Sequence, residues 1–119
     1  MANPNIINVS SIYGNTAVAN ISTTATALIN NADSSGVVYK VNGIIVSNID
    51  SSNSASITVD LYRNNVPYKL INNLTLTINT SYTPIDKTLS MYLREGDSIR
   101  LTASANNRLQ AIATWEEIS

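Results

Sequence analysis

The sequence predicts an all-β chain: a single antiparallel β-sandwich, jelly-roll-like and of about eight strands, spanning residues 1–119. Three observations point there. Apolar residues recur with a period of two, turn-forming residues interrupt them at roughly a strand's length, and no adequate window carries an apolar i, i+3, i+4, i+7 stripe behind a helix cap.

The elements follow in order. Residues 1–11, "MANPNIINVSS", open with Pro4 and small polar residues and read either as an N-terminal arm that orders against a neighbour or as an edge strand over Ile6–Val9. "NTAVANISTTATALIN" comes nearest to a helix, but its Thr, Asn and β-branched content predicts strands. "GVVYKVNGIIVSNI" is apolar on both parities, which predicts a central strand with a bulge near Asn42-Gly43. Asp50 to Ser54 reads as a turn at one end of the sandwich, followed by an antiparallel return. In that return Ile57, Val59 and Leu61 face one way while Ser56, Thr58, Asp60 and Tyr62 face the other. Leu74, Leu76 and Ile78 alternate with Thr75, Thr77 and Asn79, and Ile99, Leu101 and Ala103 alternate with Ser98, Arg100, Thr102 and Ser104. Turns are expected at 33–36, 50–54, 63–65, 72–73, 95–97 and 106–107, where Asp, Ser, Asn and Gly cluster.

Composition narrows the function. Asn, Ser and Thr number 17, 15 and 12, against 7 Lys and Arg and 8 Asp and Glu, so the surface is neutral and rich in amides and hydroxyls. A net charge of −1 supplies no basic field for phosphates, and nucleic acid is not an expected partner. No apolar run is long enough for a membrane helix, and the opening residues predict no signal peptide, so a soluble chain without membrane contact is expected. With neither His nor Cys, the usual general base, the thiolate nucleophile and thiolate metal ligation are missing. The carboxylate candidates, Asp60, Asp86, Glu95, Asp97, Glu116 and Glu117, suit turns and solubility better than a glycosidase pair. No glycine-rich phosphate loop occurs. No enzyme, cofactor or metal is expected; a calcium loop at Asp50 to Ser54 would have a single carboxylate.

Candidate contacts are aromatic. Tyr62, Arg63, Asn64 and Asn65 form one cluster able to stack a sugar ring and bond its hydroxyls, with Tyr13 and Trp115 as further candidates for glycan or protein contact. The alternatives are that the tyrosines are ordinary strand-surface aromatics and that Trp115 is core.

The stretches "MANPNIINVSSIYGNTAV", "KVNGIIVSNIDSSNSASITVDLYR" and "YLREGDSIRLTASANNRLQAIATWEEIS" together resemble a family of small virion structural proteins of tailed bacteriophages, chiefly cyanophages. The likeness covers nearly the whole chain. Two departures are Trp115 where a tyrosine is expected and Asn106-Asn107 where Asn-Gly is commoner, the second bearing on the turn of a final hairpin. The resemblance implies a virion location and a non-enzymatic role, most simply a capsid decoration or cement protein. It implies a homo-oligomer, trimeric or of another order, whose partners are the major capsid protein or other virion proteins. A tail-, neck- or fibre-associated position and a displayed glycan-binding module are the alternatives.

Overall fold

The computed structural model describes residues 11–85 and 90–119, so the arm or strand expected before Ser11, and Asp86, lie outside the described residues. Nine strands are present among them: β1 (Ile12–Asn20), β2 (Thr26–Asn30), β3 (Val38–Asn48), β4 (Ala55–Arg63), β5 (Val66–Leu76), β6 (Ser81–Ile85), β7 (Met91–Leu93), β8 (Ser98–Ala103) and β9 (Leu109–Ile118).

They form two antiparallel sheets. The first runs β1-β9-β3-β6, with β7 also on β3; the second runs β2-β8-β4-β5. If β6 and β7 are taken as two halves of one strand on the same edge of β3, eight strands remain. The chain changes sheet at every connection except β4 to β5 and β6 to β7, the connectivity of a jelly roll once β6 and β7 are counted together. The interior is aliphatic. Ile44, Val46, Leu93 and Leu109 of the first sheet meet Ile29, Ile57, Val59 and Ile99 of the second, all fully buried. Burying such side chains is worth roughly 1.5–3 kcal/mol each, and this supplies most of the drive for a fold without disulfides.

The central strand with a bulge is where the sequence placed it. β3 lies between β9 and β6/β7, and its register to β9 shifts between Val41 and Gly43. Before the shift Tyr39 and Val41 face the core; after it Ile44, Val46 and Asn48 do, which explains an apolar pattern on both parities.

Elsewhere the structure departs from the expected local pairing. Asp50 to Ser54 does not close a hairpin: β3 and β4 belong to different sheets, and the turn carries the chain across the sandwich. The β8–β9 connection at Asn106-Asn107 likewise crosses between sheets, so there is no final hairpin whose turn type could change. Asn72-Asn73 is a bulge inside β5 instead of a turn. Asn73 takes φ 53°, and its N–H donates to Thr58 Oγ1 at 3.1 Å. β5 ends at Leu76 because Thr80 Oγ1 donates to Thr77 O and Asn79 turns left-handed, leaving Ile78 exposed.

Candidate functional site

Cross-strand register assembles a surface that no single strand displays. On the outer face of the first sheet the side chains of β1, β9 and β3 line up in rows: Gly14–Glu116–Lys40, Thr16–Thr114–Gly43, Val18–Ile112–Ile45 and Asn20–Gln110–Ser47. The third row is apolar and open to solvent, with Val18 at 72%, Ile112 at 47% and Ile45 at 37% exposure. The two rows beside it are uncharged, and in one of them Gln110 Nε2 donates to Asn20 Oδ1 at 2.9 Å; the charges of Glu116, which accepts from Asn42 Nδ2 at 2.9 Å, and of Lys40 lie one row further out. Gly43, delivered by the bulge, has no side chain, which leaves a shallow apolar depression of about 360 Å³ between Ile45, Ile112, Thr114 and Thr83.

An apolar stripe rimmed by hydroxyls and amides is how a protein-binding patch is composed: its centre releases water on contact, and its rim bonds laterally at little desolvation cost. The sequence reading did not find it, because Val18, Ile45 and Ile112 become neighbours only through pairings between distant strands. The one local signal was Ile45, on the wrong parity of its strand beside the bulge.

The sequence-selected residues Tyr62, Arg63, Asn64 and Asn65 do come together, at the β4–β5 hairpin. Arg63 pairs with Val66, and Asn64 and Asn65 take φ 53° and 62°, a two-residue type I′ turn. Opposite them the β7–β8 turn brings Arg94 to Asp97, and with Asp33 these groups line a polar cleft of about 320 Å³. Much of its charge is already engaged. Arg63 Nε donates to Asp97 Oδ1 at 2.8 Å and Nη2 to Oδ2, while the Arg94 amide donates to Oδ2 at 2.9 Å. Burial works against the charge on Asp97, but the Arg63 guanidinium, the Arg94 amide and the two arginine charges outweigh it and hold the carboxyl below its usual range. Tyr62 has one ring face covered by the Arg100 guanidinium, 3.9 Å from the ring centroid, so that face is not available to a stacked ligand.

Arg100 in turn donates to Asp60 at 2.9 and 3.3 Å, and Lys69 Nζ lies 3.8 Å from the same carboxylate. Asp60 thus sits on the outward parity of β4, as its sequence position indicated, yet it is buried beneath these cations.

Tyr13 and Trp115 belong to the other sheet. Trp115 packs on the core with its ring 5.9 Å from that of Tyr39, so it faces the interior. Burial, together with the adjacent Glu117 carboxylate, pushes the Tyr39 phenol up. Tyr13 stands on edge strand β1, opposite Glu117 and exposed.

Asp50 uses its carboxylate to close its own turn. Oδ1 accepts from the amides of Ser52 and Asn53 at 2.7 and 3.0 Å, which with Arg108 nearby lowers its pKa. Among the described residues no group of three or more acidic side chains is placed to hold a metal ion, and no helix is long and apolar enough to cross a membrane.

No protein-family model and no curated protein matches the chain. A solved structure described as a Bacillus endospore appendage, of a family of disulfide-linked pili, is similar to it with a TM-score of 0.53. The match covers 92% of this chain and 88% of that one at 13% identity, and shows the fold alone.

Proposed function

We propose that the chain is a non-enzymatic structural subunit of a phage particle, a capsid decoration protein that lies against the assembled shell through the outer face of its first sheet. The observation carrying this reading is the exposed Val18–Ile112–Ile45 row within a neutral rim. The resemblance of the sequence to small virion proteins supplies the setting. A decoration protein that binds the assembled shell and not its separated subunits stabilises the shell by mass action, by an amount that grows with the logarithm of its free concentration relative to Kd. Disulfide linkage of the kind named for the endospore appendage needs cysteine, which this sequence does not contain.

Quantitative mass spectrometry of purified particles tests the proposal. On the order of hundreds of copies per particle fits a shell lattice with its repeated symmetric contacts. A handful would move the protein to the tail, neck or fibre, and its absence from particles would end the proposal.

A second reading, a glycan-binding module displayed on the particle, is favoured by the Tyr62–Asn65 cleft, where amides, two arginines and carboxylates lie beside a tyrosine. Binding of host polysaccharide that is lost in Tyr62→Ala would establish it.

A further inference from the structure

We infer that edge strand β1 pairs with β1 of a second copy, antiparallel about a two-fold axis, joining the two first sheets into one continuous sheet. The inference deepens the proposed assembly role, since both require protein chains to meet at this sheet.

Sheet edges are templates for unwanted pairing, and folded proteins blunt them. Three edges of this molecule are blunted. β2 is five residues long and its register to β8 shifts between Ala27 and Ile29. β5 carries Pro67, Lys69 and the Asn73 bulge, with two register shifts against β4. On the remaining flank β6 and β7 are five and three residues long, and β6 contains Pro84.

β1 has none of these devices. It keeps nine consecutive residues in unbroken register with β9, contains no proline and no charged side chain, and all but Asn15 and Ala17 are exposed. No described strand lies on its other side. A head-to-tail partner edge is not offered by the same molecule, because the others are blunted. Among the described strands the one unblunted edge that β1 can meet is another β1, and an isologous pair follows.

Backbone direction fixes which groups are free. Ser11 and Ser119 exchange both of their backbone hydrogen bonds, at 3.2 and 3.0 Å, and Ile21 N donates to Leu109 O at 2.9 Å. Odd-numbered residues thus bond toward β9. By antiparallel alternation, Ile12, Gly14, Thr16, Val18 and Asn20 turn their N–H and C=O groups to the open edge. A two-fold axis at Asn15 sets Ile12 of one copy opposite Val18 of the other, Gly14 opposite Thr16, and Tyr13 opposite Ala17. About eight new backbone hydrogen bonds form in this register, and the exposed apolar Ile12 and Val18 cover each other. The two Val18–Ile112–Ile45 rows then lie on one face of the joined sheet.

The absence of cysteine gives a clean test on the purified full chain. Asn15→Cys falls at a non-hydrogen-bonded pair on the axis, where Cα atoms approach within disulfide range, and is expected to cross-link to its own copy on mild oxidation. Thr16→Cys, displaced from the axis, is the control and stays reduced. Sedimentation equilibrium of the unmodified chain is expected to approach twice 12.8 kDa as concentration rises. Gly14→Pro removes one outward N–H where a Cβ meets nothing within 4 Å, and Val18→Lys charges the edge. Either returns the mass to 12.8 kDa while single-tryptophan fluorescence reports an intact fold.

A chain that stays at 12.8 kDa throughout, a dimer or trimer that neither variant weakens, or cross-linking through Thr16→Cys but not Asn15→Cys overturns the inference. These readouts use purified protein, whereas the proposed function falls on absence from particles, so the two fail separately.

Discussion

Asp97→Asn tests the tie between the β4–β5 hairpin and the β7–β8 turn. Asp97 is buried, with its side chain 3% exposed, and its two oxygens receive three donors: Arg63 Nε, Arg63 Nη2 and the Arg94 amide. An asparagine keeps the shape but has one oxygen. In its better orientation that oxygen takes the Oδ2 place and serves Arg63 Nη2 and the Arg94 amide, while the new NH2 faces Arg63 Nε, donor against donor. One charge-assisted bond is lost outright and another is weakened to a neutral acceptor, a cost of about 2 kcal/mol at neutral pH. For a domain of this size that corresponds to a melting temperature lower by roughly 6–10 °C. Because the folded-state pKa of Asp97 is depressed, its stabilisation is complete above the unfolded carboxyl value near 3.9 and disappears as pH falls through the folded one. The gap between wild type and variant is therefore constant from about pH 7 to pH 5 and narrows below about pH 4. Urea denaturation followed by the fluorescence of Trp115 at a series of pH values reads both quantities. A gap below about 0.5 kcal/mol at pH 7, or one as wide at pH 3 as at pH 7, would refute the reasoning.

Gly96→Ala places a Cβ 2.7 Å from Asp33 Oδ1 in a residue at φ +87°, and a loss of about 1–2 kcal/mol in the same denaturation assay is expected. Asn65→Ala puts a residue ill-suited to the left-handed region at φ 62° of the type I′ turn and costs about 1 kcal/mol, whereas Asn65→Gly is neutral or stabilising. Ile112→Lys leaves stability within about 0.5 kcal/mol of wild type, since the side chain is already half exposed, yet abolishes co-sedimentation with particles. Thr102→Lys, on the outer face of the second sheet, keeps it.

Much of the fold was legible because jelly-roll strands keep a solvent face, and so display period two. The bulge in β3 was readable from one local anomaly, apolar residues on both parities around Asn42-Gly43, since a register shift swaps which parity faces inward. Which strand pairs with which was not legible. A polar turn such as Asp50–Ser54 has the same composition whether it closes a hairpin or crosses to the other sheet. Asn73 shows a related limit. Among the described residues five of the six non-glycine residues with positive φ are Asn, so the abundance of Asn that reads as a neutral surface also serves backbone conformation, in β5 as a bulge and elsewhere as turns. Of the candidate residues, the Tyr62–Asn65 cluster was contiguous in sequence and therefore visible, while its cleft partners Asp33 and Arg94–Asp97 were distant. The apolar row was invisible for the same reason, as it draws one residue from each of three separated strands.

The two outer faces differ in a way that bears on which one meets a partner. On the second sheet the polar groups find partners within the chain: Asp60 lies beneath Arg100 and Lys69, Arg100 covers Tyr62, Ser56 meets Thr75, and Thr58 meets Asn73. Ion pairs and hydroxyl pairs of this kind leave little for a neighbour to gain, because contact would strip water from groups already satisfied. The first sheet is built the other way, with an apolar row left in water and an edge strand, β1, whose outward backbone groups meet no other described strand. Neither feature stabilises the separate chain, and with a net charge of only −1 there is little repulsion to keep copies apart. An arrangement that is neutral or costly for a lone molecule, and confined to one face and its adjoining edge, is accounted for by contacts made after folding. If Ile112→Lys and Thr102→Lys weakened attachment equally, the difference between the faces would carry no functional meaning and the proposed mode of assembly would fall with it.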